Sequence, residues 1–161
     1  MPKELVALAP RQPVVQDYEE SAVLEGQVRI KVDFGAPKRG SEMTMYYGSR
    51  GAKFPMGLGN MCVGRIIELG DGVDEFEVGD RVACHGHLRE THIRSAGQLL
   101  AMSDRMTWKE AVCYDPAHFA LASIRDGQVR LGDRVAVFGL GAIGQVTAQM
   151  AKLAGADLVA V

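Results

Sequence analysis

Six residues, Gly139-Leu140-Gly141-Ala142-Ile143-Gly144, constrain this chain more than any other stretch, because they set three glycines at fixed offsets between two elements of different period. Ahead of them, Arg134-Val135-Ala136-Val137-Phe138 reads as a short buried strand. Behind them, Ile143, Val146, Met150 and Leu153 fall on one face of a helix that Gly155 stops. A strand, a glycine turn and an amphipathic helix in that order make the phosphate-binding part of a dinucleotide site. Gly139 is expected to form the tight turn, Gly141 to let the backbone approach a pyrophosphate, and Gly144 to let helix and strand pack closely. The N–H groups at the helix start then face the phosphates. Leu140, Ala142 and Ile143 complete this cofactor-binding segment. Asp157 to Val161 reads as the next strand, so the sequence stops at or just short of the acidic position that separates NAD from NADP. The expected cofactor is therefore either of the two.

Upstream the pattern changes. From Ala22 to about Leu100 the apolar residues recur with period two, as in Val28, Ile30, Val32 and Phe34, between Gly, Pro and Asp breaks. This predicts a β-rich, barrel-like module. Gly70-Asp71-Gly72 is a tight-turn candidate, Val82 to Cys84 a further strand, and Arg39 to Gly59 a loop-rich excursion rather than regular core. Thr107-Trp108-Lys109-Glu110 has the spacing of a capping box and opens a helical stretch toward Ile124, which Gly127 to Gly132 breaks.

A formal net charge of -2 without any Lys/Arg run argues against nucleic-acid or anionic-membrane partners, both of which need a concentrated positive field. A small-molecule substrate fits better. No apolar stretch is long enough to cross a bilayer, and Met-Pro-Lys-Glu lacks a signal-peptide layout, so a cytoplasmic location is expected. Cys62, Cys84 and Cys113 are odd in number and widely spaced, which predicts reduced thiols, mostly interior, rather than a disulfide framework or metal knuckle.

The ordered motifs resemble the medium-chain dehydrogenase/reductase family. Gly59-Asn60-Met61-Cys62-Val63-Gly64-Arg65-Ile66 echoes its Gly-His-Glu-x-x-Gly-x-Val, and Gly79-Asp80-Arg81-Val82 its Gly-Asp-x-Val. Arg39-Gly40-Ser41-Glu42 echoes Cys-Gly-Thr/Ser-Asp, and Asp115-Pro116 the Glu-Pro of the interdomain helix. The resemblance implies a GroES-like catalytic domain over residues 1–126 and, over 127–161, the incomplete first β-α-β of a Rossmann domain. It implies an NAD(P)-dependent oxidoreductase acting on a small alcohol, carbonyl or activated alkene, homo-oligomeric as a full-length protein. The 161-residue piece alone is expected to be inactive.

In zinc-dependent members a cysteine and the His-Glu pair hold the metal. Here those positions carry Arg39, Asn60 and Met61, whose guanidinium, amide and thioether are poor zinc donors, leaving Asp115 alone. No zinc and no metal site are therefore expected. The alternatives are a zinc enzyme with divergent ligands and a non-catalytic dinucleotide-binding relative. Cys84-His85-Gly86-His87, with His92, is the one other cluster of ligand chemistry, read as solvated or hydrogen-bonded histidines. Without zinc, Arg39 would supply positive charge to a developing oxyanion, and Ser41, His118 or Tyr46 a proton, while Asp115 would pair with Arg39. The plainer readings are Arg39 and Ser41 as solvated loop residues, Tyr46 packed on Tyr47, and His118 satisfied within the domain interface.

Overall fold

The computed structural model describes residues 1–49 and 51–160, without the side chains of Leu158 and Val159. It divides into two compact units, Met1–Val112 and Cys113–Val161. No helix among the described residues is long and apolar enough to cross a membrane.

The first unit contains, in order, strands β1 (Lys3–Ala9), β2 (Gln12–Asp17) and β3 (Gln27–Ala36), helix α1 (Arg39–Tyr46), and strands β4 (Met56–Gly57), β5 (Met61–Leu69), β6 (Arg81–His85), β7 (Thr91–Ser95) and β8 (Leu100–Ala101), then the short helix α2 (Trp108–Ala111). One sheet has the order β2-β1-β4 and the other β7-β3-β5-β6-β8. Their pairings are antiparallel throughout. Antiparallel strands need bury one face only, and the alternation in β3 follows from that. Val28 and Ile30 enter a core with Cys62, Ile66, Val82, Cys84, Ala96 and Leu99. Phe34, on the same alternation, is exposed, because the register slips between Val32 and Phe34 and the extra residue turns the strand over.

Three backbone bonds join distant segments of this unit in a ring. Leu5 N–H donates to Leu88 O (2.8 Å), Leu88 N–H to Leu58 O (2.6 Å) and Leu58 N–H to Leu5 O (3.0 Å). They tie β1, the chain leaving β4 and the connection between β6 and β7 at a single point.

The capping box forms as expected: Thr107 accepts from Glu110 N–H, and the Glu110 carboxylate accepts from Thr107 N–H at 2.7 Å. The helix it opens is short, ending at Ala111. Arg39 to Gly59 departs from the expected loop in holding α1 and β4.

The second unit contains α3 (Tyr114–Asp126), β9 (Arg134–Val137), α4 (Ala142–Leu153) and β10 (Asp157–Ala160). Strands β9 and β10 pair in parallel, as a β-α-β unit requires. Helix α3 packs against α4 and falls within this compact unit, which begins at Cys113. Strand β9 is not the buried strand that its sequence suggests. Arg134 and Ala136 are exposed and Val135 and Val137 half-buried. A parallel strand is fully buried only when other strands and helices cover both its faces, and among the described residues β9 pairs with β10 alone.

Candidate functional site

The three glycines of the fingerprint are held to glycine by three different constraints. Gly139 sits at φ +89°, a left-handed conformation that other residues adopt at a cost. A Cβ on Gly144 would collide with the carbonyl oxygen of Gly139, so the turn closes onto the helix only if that side chain is missing. Gly141 has φ -71° and would meet nothing within 4 Å of a Cβ. Its own chain imposes no steric demand there, and the open space beside its backbone is a cradle that a Cβ would fill. Leu140, Ala142 and Ile143 are exposed around it.

Gly141 is the N-cap of α4, without a side-chain cap and without an acidic residue in the first turn. The first i→i−4 bond runs from Gln145 N–H to Gly141 O at 2.9 Å, so the N–H groups of Ala142, Ile143 and Gly144 lie ahead of it in the helix. An open backbone cradle at an uncapped helix start is the arrangement that receives a pyrophosphate. The residues present fit a dinucleotide.

Of the sequence-derived catalytic candidates, Arg39 and Ser41 are both exposed in the first turn of α1, two positions apart and so on different sides of the helix, in the first unit. Asp115 and His118 lie on α3, in the second. Asp115 is 6% exposed and His118 is exposed, its ring edge-on to Phe119 with centroids 6.0 Å apart. Tyr46 packs with Tyr47, centroids 5.5 Å apart.

Glu42 has a role that sequence reasoning missed. Its buried carboxylate accepts from Lys38 N–H (2.9 Å) and from Gly59 N–H (2.5 Å). One side chain thus caps α1 and fastens it to the turn that carries Asn60 and Met61. The signal available was an acidic residue in the first turn of a helix, but that helix was not foreseen.

Asn60 is half-buried; its carbonyl accepts from Gly86 N–H (3.0 Å), and its amide nitrogen is a buried donor with no partner among the described residues. Met61 is buried at the start of β5. Guanidinium, amide and thioether at positions 39, 60 and 61 do not make a zinc donor set. Among the described residues no three His, Cys, Asp or Glu side chains converge as metal ligands.

The histidine cluster is structural in detail. His92 is 2% exposed; its Nε2–H donates to His87 O (2.9 Å) and its Nδ1 accepts from Arg94 Nη2 (3.2 Å), so both ring nitrogens are occupied in the neutral form. Burial pushes its pKa down to about 4, against an opposing pull from the His87 carbonyl. His87 meets Glu4 Oε2 at 3.3 Å, whereas His85 is exposed with Nδ1 3.4 Å from Asn60 O.

Comparison with known proteins agrees with this architecture. Residues 24–155 match the alcohol dehydrogenase GroES-like domain. D-Guloside 3-dehydrogenase of Escherichia coli K12 is 44% identical, over 98% of this chain and 53% of that enzyme. (R,R)-Butanediol dehydrogenase of Bacillus subtilis 168 is 26% identical, over 91% of this chain and 54% of that enzyme. The chain thus spans about half the length of the curated relatives it matches. Among solved structures, CAD from Helicobacter pylori complexed with NADP(H) superposes with a TM-score of 0.90 at 17% identity, over 99% of this chain and 59% of that one, which speaks for the fold. A GroES-like antiparallel module, a following β-α-β unit with its glycine turn, and a family match over most of the sequence together make this chain a member of the alcohol dehydrogenase-like medium-chain dehydrogenase/reductase family.

Proposed function

We propose that the protein to which this chain belongs is an NAD(P)-dependent oxidoreductase that oxidises a secondary hydroxyl of a sugar derivative or polyol, or runs the reverse reduction, without zinc. The observation that carries the cofactor part is Gly141, a glycine with no steric reason within its own chain at an uncapped helix start. The substrate class follows the relatives: D-guloside 3-dehydrogenase at 44% identity, with butanediol and sorbitol dehydrogenases more distant. The zinc-free reading is supported by the donor chemistry at Arg39, Asn60 and Met61.

When bound, the nicotinamide supplies the two-electron acceptor of a hydride. The chain's own contribution is to bind, orient and supply charge. Gly139 to Gly144 receive the pyrophosphate. Arg39 and Ser41, exposed on α1, offer a fixed positive charge for an alkoxide and a hydroxyl for its proton. Asp115 and His118 are individual candidates on α3, the histidine for proton exchange and the carboxylate for positioning.

The test is turnover of full-length protein with NAD or NADP across glycosides, polyols and short diols, before and after exhaustive chelation, with elemental analysis of the same sample. Turnover that survives chelation in metal-free protein supports the reading. Stoichiometric zinc with chelation-sensitive turnover favours a zinc enzyme with divergent ligands. Saturable cofactor binding without turnover favours a non-catalytic relative.

A further inference from the structure

Cys62 and Cys84 face one another across β5 and β6 as register partners, with their sulfurs 3.5 Å apart and both side chains buried. Bonds from Gly86 N–H to Asn60 O and from Ile66 N–H to Asp80 O fix the parity of this ladder and put the two cysteines at a hydrogen-bonded pair. Such pairs hold their Cα atoms about 5.5 Å apart, inside the span of roughly 4.4–6.8 Å that a disulfide bridges, and the bond draws the Cβ atoms in from about 5.5 Å to about 3.8 Å. We propose that Cys62 and Cys84 form an oxidisable dithiol, which hydrogen peroxide converts to a cross-strand disulfide inside the first unit.

Cys84 is the attacking partner. The contact with the Cys62 sulfur and the positive potential of the Arg94 guanidinium, held by the neighbouring His85 carbonyl at 3.0 Å, both favour the Cys84 thiolate against the effect of burial. Strand β8 pairs only with Val82 and Ala83, and the Cys84 side chain is 3% exposed, so peroxide reaches its sulfur through local opening at this end of β6. In the first step the Cys84 thiolate attacks one peroxide oxygen. An S–O bond forms, the O–O bond breaks, and hydroxide leaves to take up a proton as water. In the second, the Cys62 thiol gives up its proton and its sulfur attacks Cys84 Sγ. The S–S bond forms, the S–O bond breaks, and the departing hydroxide takes that proton. Two thiols lose two electrons to one peroxide, which ends as two waters.

Cys113 is exposed and would cross-link molecules, so the experiment uses full-length protein carrying Cys113→Ser. After exposure to hydrogen peroxide, free thiols are alkylated in denaturant and the digest is analysed by mass spectrometry without reductant. The expected result is a linked peptide pair joining Cys62 to Cys84 in most molecules, reversed by dithiothreitol, with the thermal midpoint raised by about 5 °C in the oxidised form. Peptides that carry Cys62 and Cys84 separately, alkylated or over-oxidised to sulfinate, would overturn the proposal. A Cys84→Ser variant in the same background is expected to lose the linked pair; persistence of a Cys62-containing link there would also overturn it. The peptide map of the Cys113→Ser protein decides the question by itself if the second variant fails to fold.

Discussion

The two compact units use their apolar residues differently. The first closes a core in which Val28, Ile30, Ile66 and Val82 are almost wholly removed from water, and even its buried His92 has both ring nitrogens partnered. The second, in a chain that spans about half the length of the curated relatives it matches, leaves Leu131, Phe138 and Leu153 more than four-fifths exposed beside a sheet that has two strands among the described residues. In the first unit a residue's identity is explained by what surrounds it. In the second, Gly141, the N-cap of α4, has no neighbour within 4 Å of where a Cβ would stand, and the proposed dinucleotide is what its backbone would meet. Packing and ligand constraints can therefore be separated by mutation, one unit against the other.

The largest expected effect is at Gly144. Its replacement by valine drives a side chain into the Gly139 carbonyl, opening the turn. Fluorescence titration should show dinucleotide binding weakened by about a hundredfold or more, roughly 3 kcal/mol, while the first unit keeps its circular dichroism. Second comes His92. Between about pH 4 and pH 6.5 the unfolded chain holds a proton on this imidazole that the folded chain does not, so stability rises with pH across that window. Above it the full stability is present, and below pH 4 about 3 kcal/mol has been lost. Urea unfolding of the parent and of His92→Gln across this range measures the difference, and equal slopes would refute the assignment. Third, Gly141→Ala should leave melting unchanged and weaken dinucleotide binding about tenfold, or 1.4 kcal/mol. Unchanged affinity would remove the main support for the proposed pyrophosphate cradle. The smallest is Thr107→Ala, which deletes half of a capping box and should cost about 1 kcal/mol in unfolding free energy, without any effect on cofactor affinity.

What was legible in the sequence was local. The offsets among Gly139, Gly141 and Gly144 are read within six residues, and Thr107 with Glu110 within four, so both were foreseen from spacing. Helix α1 was not, because what secures it is the contact of Glu42 with Gly59 N–H, which joins positions 17 apart. The histidine cluster was read as solvated or hydrogen-bonded, with no partner identified. Its partners, the His87 carbonyl and the Arg94 guanidinium, appear only when the chain after β6 folds back into β7. Strand β9 lies where the sequence placed it, and it is less buried than its apolar run suggests because β10 alone stands beside it among the described residues. Its apolar run states what it is suited to, and burial depends on neighbouring strands that a run of four residues cannot announce.

The ring of backbone bonds through Leu5, Leu58 and Leu88 has a consequence for the order in which the first unit folds. None of its three bonds can be made between near neighbours in sequence. The bonds join positions 83, 53 and 30 apart, and each such closure is entropically costly until the segments are already close. The first hairpin, β1 with β2, can form early because its contacts are local, but it can dock only when the segments around Leu58 and Leu88 have both arrived. The junction should therefore appear late and all at once. Variants that weaken it, such as Pro in place of Leu5 or Leu88, should retain the β3–β5 ladder while losing protection from hydrogen exchange along β1.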